Sequence, residues 1–172
     1  MATTPIPRDF RDLIALLNER SVKYLVVGGY AVMFHGYPRA THDIDFFVEL
    51  SQNNANALMQ VLNDFGFSTK GLSPDFFTDK GQAVWFGREP HKVEILNDIS
   101  GVSFAECYQN RVRANIGGLE INFISLPDLI ANKKASGRNK DLADLDYLPK
   151  NPEMAKKQAI KKVPKSRRPP HQ

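Results

Sequence analysis

The sequence predicts a small mixed α/β (α+β) domain, in which a mixed β-sheet is flanked by helices. Three observations carry that prediction. Short runs rich in Val, Ile and Phe alternate with longer stretches whose apolar residues recur at helical spacing. Two hairpin signals, Gly117-Gly118 and the Arg88-Glu89-Pro90-His91 turn, fall in the second half of the chain. The chain has 172 residues, 42% of them apolar, which is enough for one buried core. Residues 1–149 are expected to form one domain, and residues 150–172 a basic tail too poor in apolar side chains to fold.

Each element has its own signal. Residues 9–20 read as a helix capped by Asp9, with Phe10, Leu13, Ile14 and Leu17 as its stripe. Lys23–Val27 is a short apolar strand, broken by Gly28-Gly29. Tyr30–His35 should make one or two helical turns, and Gly36-Tyr37-Pro38 a loop. Asp43–Leu50 is the second strand. Ser51 caps a helix carrying Leu58, Val61, Leu62 and Phe65, and Gly66 ends it. Phe67–Lys70 is assigned as a strand and Gly71–Asp79 as a loop. Ala83–Phe86 pairs with Lys92–Leu96, and Trp85 and Phe86 are expected in the core. A helical turn near Phe104–Cys107 precedes the hairpin of Arg111–Ile116 and Leu119–Ile124. Ser125 and Asp128 resemble a capping box for a helix over Leu126–Ser136, which Gly137 stops. A last helix near Asn139–Leu148 closes at Pro149.

Charge and composition exclude some functions. Residues 150–172 hold eight Lys or Arg against Glu153 alone, a net +7 that leaves residues 1–149 at −3 of the chain's +4. The folded part is mildly acidic, unlike a dedicated DNA-binding domain. No apolar run approaches the roughly 20 residues that span a bilayer, so no membrane partner is expected. The single cysteine, Cys107, fits a reducing cytoplasm and a packed rather than catalytic thiol. The first residues carry no signal-peptide pattern, and cytoplasmic localisation is the expectation.

The chemistry gathers in Leu25–Val48. Asp43 and Asp45 stand at i and i+2 and so share one face of a strand, while Ile44, Phe46 and Val48 face the other way. Two like charges side by side repel, and a divalent cation is the usual way to offset them. Glu94, flanked by Val93 and Ile95, joins them if its strand lies beside that of Asp43 and Asp45. Three such carboxylates suit Mg²⁺ or Mn²⁺. Gly28 and Gly29 would let the backbone approach phosphates at the start of the next helix. Arg39 either binds a phosphate or pairs with Asp43 or Asp45, and Thr41 shares the face of Asp43. His35 is expected to pack and hydrogen-bond rather than act chemically.

These residues match a family pattern. A hydrophobic strand, Gly28-Gly29, thirteen residues and then Asp43-Ile44-Asp45 resembles the nucleotidyltransferase superfamily, whose catalytic core is of the DNA-polymerase-β type. Gly28-Gly29-Tyr30-Ala31, His35-Gly36 and Arg39-x-Thr41-x-Asp43-Ile44-Asp45-Phe46 resemble a branch of small bacterial enzymes related to AbiEii-type toxins and minimal nucleotidyltransferases. That branch also has a distal Lys followed by Arg-x-Lys-Asp-x-x-Asp; here Lys133 or Lys134 precedes Arg138-Asn139-Lys140-Asp141-Leu142-Ala143-Asp144. The resemblance implies that Asp43, Asp45 and Glu94 hold the metals, Glu94 alternatively serving as base. It implies that Gly28 and Gly29 contact a triphosphate, with Arg39, Thr41, Lys133, Arg138 and Lys140 around the nucleotide. The implied activity is Mg²⁺-dependent transfer of a nucleoside monophosphate from a nucleoside triphosphate to an acceptor hydroxyl. RNA, a protein and a small molecule are all open as acceptor, held by this chain, a second copy or a partner protein. The alternative is a non-catalytic nucleotide-binding or toxin–antitoxin regulatory module of the same fold.

Overall fold

A computed structural model describes residues 6–150; the predicted basic tail falls almost wholly outside them. Six strands form one mixed sheet in the order β3-β4-β2-β1-β6-β5. The strands are β1 Tyr24–Val27, β2 Ile44–Val48, β3 Ala83–Arg88, β4 His91–Leu96, β5 Val112–Ile116 and β6 Leu119–Phe123. The helices are α1 Arg8–Glu19, α2 Gly28–Phe34, α3 Gln52–Phe65, α4 Phe104–Gln109, α5 Leu126–Ser136 and α6 Asn139–Tyr147. The centre of the sheet joins an antiparallel β1–β2 pair to a parallel β2–β4 pair.

Strand alternation sorts the side chains onto two faces. One face sets Tyr24, Val26, Ile44, Phe46, Val93 and Ile95 against α1 and α3, through Phe10, Leu13, Ile14 and Leu17 and through Leu58, Val61 and Leu62. The other face sets Leu25, Val27 and Phe47 against Ala31 and Val32 of α2, Cys107 of α4, and Leu126 and Leu129 around α5. Burial pushes the Cys107 thiol up to about 12, so it packs as an apolar group.

Local chemistry fixes the helix ends. Ser51 accepts from the Asn54 amide and Gly66 takes the left-handed conformation, which bounds α3. Ser125 accepts from the Asp128 amide and Gly137 is left-handed, which bounds α5. Three local expectations are corrected. Pro7, not Asp9, occupies the cap of α1; its missing N–H costs nothing there, and Asp9 lies in the first turn. Phe67–Lys70 forms no strand. Phe67 packs against Phe65 and Phe86, and a 3₁₀ turn at Pro74–Phe77 follows where a loop was expected. Trp85 is not in the core: it is 64% exposed, whereas Phe86 packs against the first face.

Candidate active site

The site is assembled where β1 runs directly into α2. Gly28 opens α2 with φ +64°, and a Cβ there would land on the Asp45 carboxylate. Only glycine lets Asp45 lie across the start of this helix. A Cβ on Gly29 would meet the Thr41 side chain at 3.0 Å, and Thr41 Oγ1 donates to the Asp43 carbonyl at 3.2 Å. The two glycines are thus fitted to two different site residues. No side chain caps α2, so its first-turn amides have no side-chain acceptor.

The expected strand adjacency is present. β2 and β4 run parallel with Asp45 directly opposite Glu94. Burial, followed by the hydrogen bond and charge of Glu94 and the charge of Asp43, pushes the Asp45 carboxyl up to about 7; Lys140 pulls the other way. The Asp45 carboxyl therefore keeps its proton up to near neutrality, hydrogen-bonded to Glu94. Asp43 sits just before β2, exposed, and its Oδ1 accepts from the Lys92 amide at 3.3 Å. Among the described residues, no three or more His, Cys, Asp or Glu are gathered closely enough to hold a metal ion as they stand. The carboxylates form a close pair with a third turned aside.

Helices α5 and α6 form the opposite wall. Lys133 is 3% exposed, and its Nζ lies 2.9 Å from both Asp141 Oδ1 and Asp144 Oδ2. Arg39 Nε pairs with Asp144 Oδ1 at 3.0 Å. Arg138 Nε and Ser136 Oγ donate to Asp141 Oδ2 at 2.7 and 2.5 Å. Burial alone would raise the Asp141 carboxyl, but hydrogen bonds from Ser136, Lys133 and Arg138 outweigh it and hold the group at about 2. The distal Arg-x-Lys-Asp-x-x-Asp signature is thus a charge network that clamps α6 to α5 and to Arg39. Lys140 is different: it is exposed on the first turn of α6, and its charge reaches Asp45. His35 is buried, with Nε2 2.7 Å from the Ile124 carbonyl oxygen, in keeping with a packing role.

Between the walls lies a cleft of about 260 Å³. Gly28, Asp45 and Glu94 line its sheet side, and Asn132, Lys133, Ser136, Arg138 and Asp141 its helix side. Gly29, Arg39, Thr41, Asp43 and Lys140 are not among its lining residues. A separate hollow between α1 and α3, edged by Asp9, Asp12 and Asp64, lies on the far face of the sheet. Sequence reasoning missed Asn132 and Ser136. Their only signal was a polar side chain one residue before and three residues after Lys133, on the helix that Lys133 already marked.

A glycine pair at a strand–helix junction, facing carboxylates on adjacent strands of a mixed sheet, is the arrangement of the nucleotidyltransferase fold. Solved structures share the fold. A Thermotoga maritima protein assigned to the nucleotidyltransferases superposes with a TM-score of 0.54 at 19% identity, over 90% of this chain and 92% of that one. The lincosamide antibiotic adenylyltransferase LnuA, in its lincomycin-bound form, gives 0.54 at 15%, over 82% and 94%. The solution structure of the antibiotic-resistance factor ANT(2″)-Ia gives 0.50 at 14%, over 89% and 81%. Within that class the chain belongs to the family described as "Nucleotidyltransferase of unknown function (DUF6036)", which matches residues 8–148. No curated protein matches the chain.

Proposed function

We propose that the chain transfers a nucleoside monophosphate from a nucleoside triphosphate to an acceptor hydroxyl, with Mg²⁺ or Mn²⁺ as cofactor, in the cytoplasm. One observation supports this above the others: Asp45 and Glu94 stand opposite each other in parallel strands, beside a glycine that exists to admit the Asp45 carboxylate. The fit to a divalent cation is one of chemistry. A half-buried carboxylate whose pKa is raised by burial and by two acidic neighbours, against the one opposing charge of Lys140, is short of countercharge, and hard oxygen donors suit these ions. Asp43 and Asp45 would hold it, with Asp43 turning from the Lys92 amide, and Glu94 beside them is left as the base. Bound there, the ion supplies charge neutralisation at the transferred phosphorus and the leaving pyrophosphate.

The chain's own residues do the rest. The uncapped amides at Gly28 and Gly29 receive the outer phosphates. Glu94 takes the proton from the acceptor hydroxyl, whose oxygen forms the new bond to the α-phosphorus as the bond to the pyrophosphate oxygen breaks. Lys140 faces the site with its ammonium in solvent, and Arg138, 75% exposed at its side chain, lines the cleft. Both are placed for phosphate contact. Lys133 and Arg39 serve the site as the frame that fixes α6, and Thr41 as the packing partner of Gly29.

Incubation with ATP, CTP, GTP and UTP, each labelled on the α-phosphate, with cell extract as acceptor source tests this. Label should pass to RNA, protein or a small molecule, and Asp43→Ala with Asp45→Ala should abolish it. No transfer from any of the four by folded protein overturns the transferase reading. Metal-independent nucleotide binding, unchanged in that double variant, would establish the non-catalytic regulatory module instead.

A further inference from the structure

The single tryptophan of the chain stands in the same row as the acidic pair. Trp85 of β3 is directly opposite Glu94 of β4, which is directly opposite Asp45 of β2. Residues in register on neighbouring strands share a face, so the indole rises beside Glu94, two strand spacings or about 10 Å from Asp45. Trp85 is not among the residues that line the cleft under α5 and α6. Its neighbours on the same face of β3 are Ala83 and Gly87, which rise too little to shield a ring. Among the described residues Trp85 makes no ring contact or hydrogen bond. An indole left 64% exposed beside a site, with no ring partner of its own among the described residues, offers ring surface for stacking.

We infer that Trp85 is the stacking platform for the acceptor, and that the acceptor is a neutral or cationic small molecule bearing a hydroxylated sugar ring. This rests on the transferase reading above. In an in-line displacement the attacking and leaving oxygens lie on opposite sides of the transferred phosphorus. With the leaving pyrophosphate at Gly28 and the α-phosphate at Asp45, the attacking hydroxyl comes from the side of Glu94 and Trp85. The C–H face of a sugar ring lies flat on an indole while its hydroxyl points to Glu94. Charge selects the class. Glu94 stands beside Trp85 with Asp45 and Asp43 beyond it, Lys92 is already paired with Glu89, and the cations placed for the triphosphate, Lys140 and Arg138, stand at the start of α6 on the other wall of the cleft. A polyanion such as RNA is disfavoured here.

Because Trp85 is the sole tryptophan, its fluorescence reports on this surface alone. The test uses the full chain, ATP with Mg²⁺, and two sugar-bearing probes, lincomycin and the more strongly cationic kanamycin. ATP with Mg²⁺ alone should leave the emission unchanged, and adding at least one probe should shift it. Trp85→Ala should raise the KM for that probe about tenfold, with the KM for ATP unchanged, and Trp85→Phe should retain most of the affinity. An emission change caused by ATP alone would make Trp85 a nucleobase platform and overturn the inference. So would the absence of any response to both probes, or an unchanged probe KM in Trp85→Ala. Failure of the wild-type chain to bind any nucleoside triphosphate in calorimetry is a separate outcome: it sinks the transferase reading itself, and this inference with it.

Discussion

Replacing Asp45 by Asn should stabilise the metal-free protein while destroying its activity. The Asp45 carboxyl has a pKa of about 7 in the folded chain against 3.8 for an ordinary one. A displacement of about three pH units corresponds to about 4 kcal/mol, and because Asp45 is only partly buried, solvent and local relaxation leave about half of that as a cost to the fold. A carboxyl whose pKa is higher in the folded chain favours folding below the unfolded value, and that contribution is lost as the pH rises through the folded value. The charge of Asp45 therefore weakens the fold progressively between about pH 4 and pH 7 and costs about 2 kcal/mol at pH 8. Asn keeps the shape that fits over Gly28 and carries no charge. Urea denaturation in EDTA should show Asp45→Asn about 2 kcal/mol more stable than the wild type at pH 8 and nearly equal to it at pH 4. Mg²⁺ at pH 8 should close the gap by stabilising only the wild type. A variant no more stable than the wild type at pH 8, or a gap independent of pH, would refute this account of the pair.

Two further substitutions probe the frame. Lys133→Met leaves the buried carboxylates of Asp141 and Asp144 without their shared ammonium and should cost about 3–5 kcal/mol in urea denaturation; adding Asp141→Asn should recover part of the loss. Gly28→Ala combines a left-handed backbone with a methyl group thrust at Asp45. It should destabilise the chain by about 1–3 kcal/mol and lower label transfer by about a hundredfold or more, read in the same α-phosphate assay.

What the sequence revealed follows from how local each signal is. Ser51 with Gly66 and Ser125 with Gly137 bound their helices through hydrogen bonds within a few residues, so both helices could be placed from residue type alone. Glu94 could be grouped with Asp45 because Val93 and Ile95 needed a core and left it only one face. Trp85 misled for the converse reason. Its strand alternates correctly, but whether a face is covered depends on how far α5 and α6 reach across the sheet, and no residue in β3 records that. The distal charges were visible as a motif, yet their partners were not. Lys133 reaches Asp141 and Asp144, and Arg39 reaches Asp144 from 105 residues away, contacts that only the packed helices create.

The parallel pairing of β2 and β4 makes the oily back of the sheet a ruler for its acidic front. A slip of one residue in β4 would carry Glu94 to the rear and bring Val93 or Ile95 to the water. The core forbids that slip, so the spacing of the chemical groups is proofread by residues that never meet a substrate. Length changes between residues 66 and 82 can be absorbed in loop and 3₁₀ turn, whereas a single insertion between Val93 and Ile95 would break core and site in one stroke. The connection over residues 66–82 can therefore change length, and the three residues around Glu94 cannot.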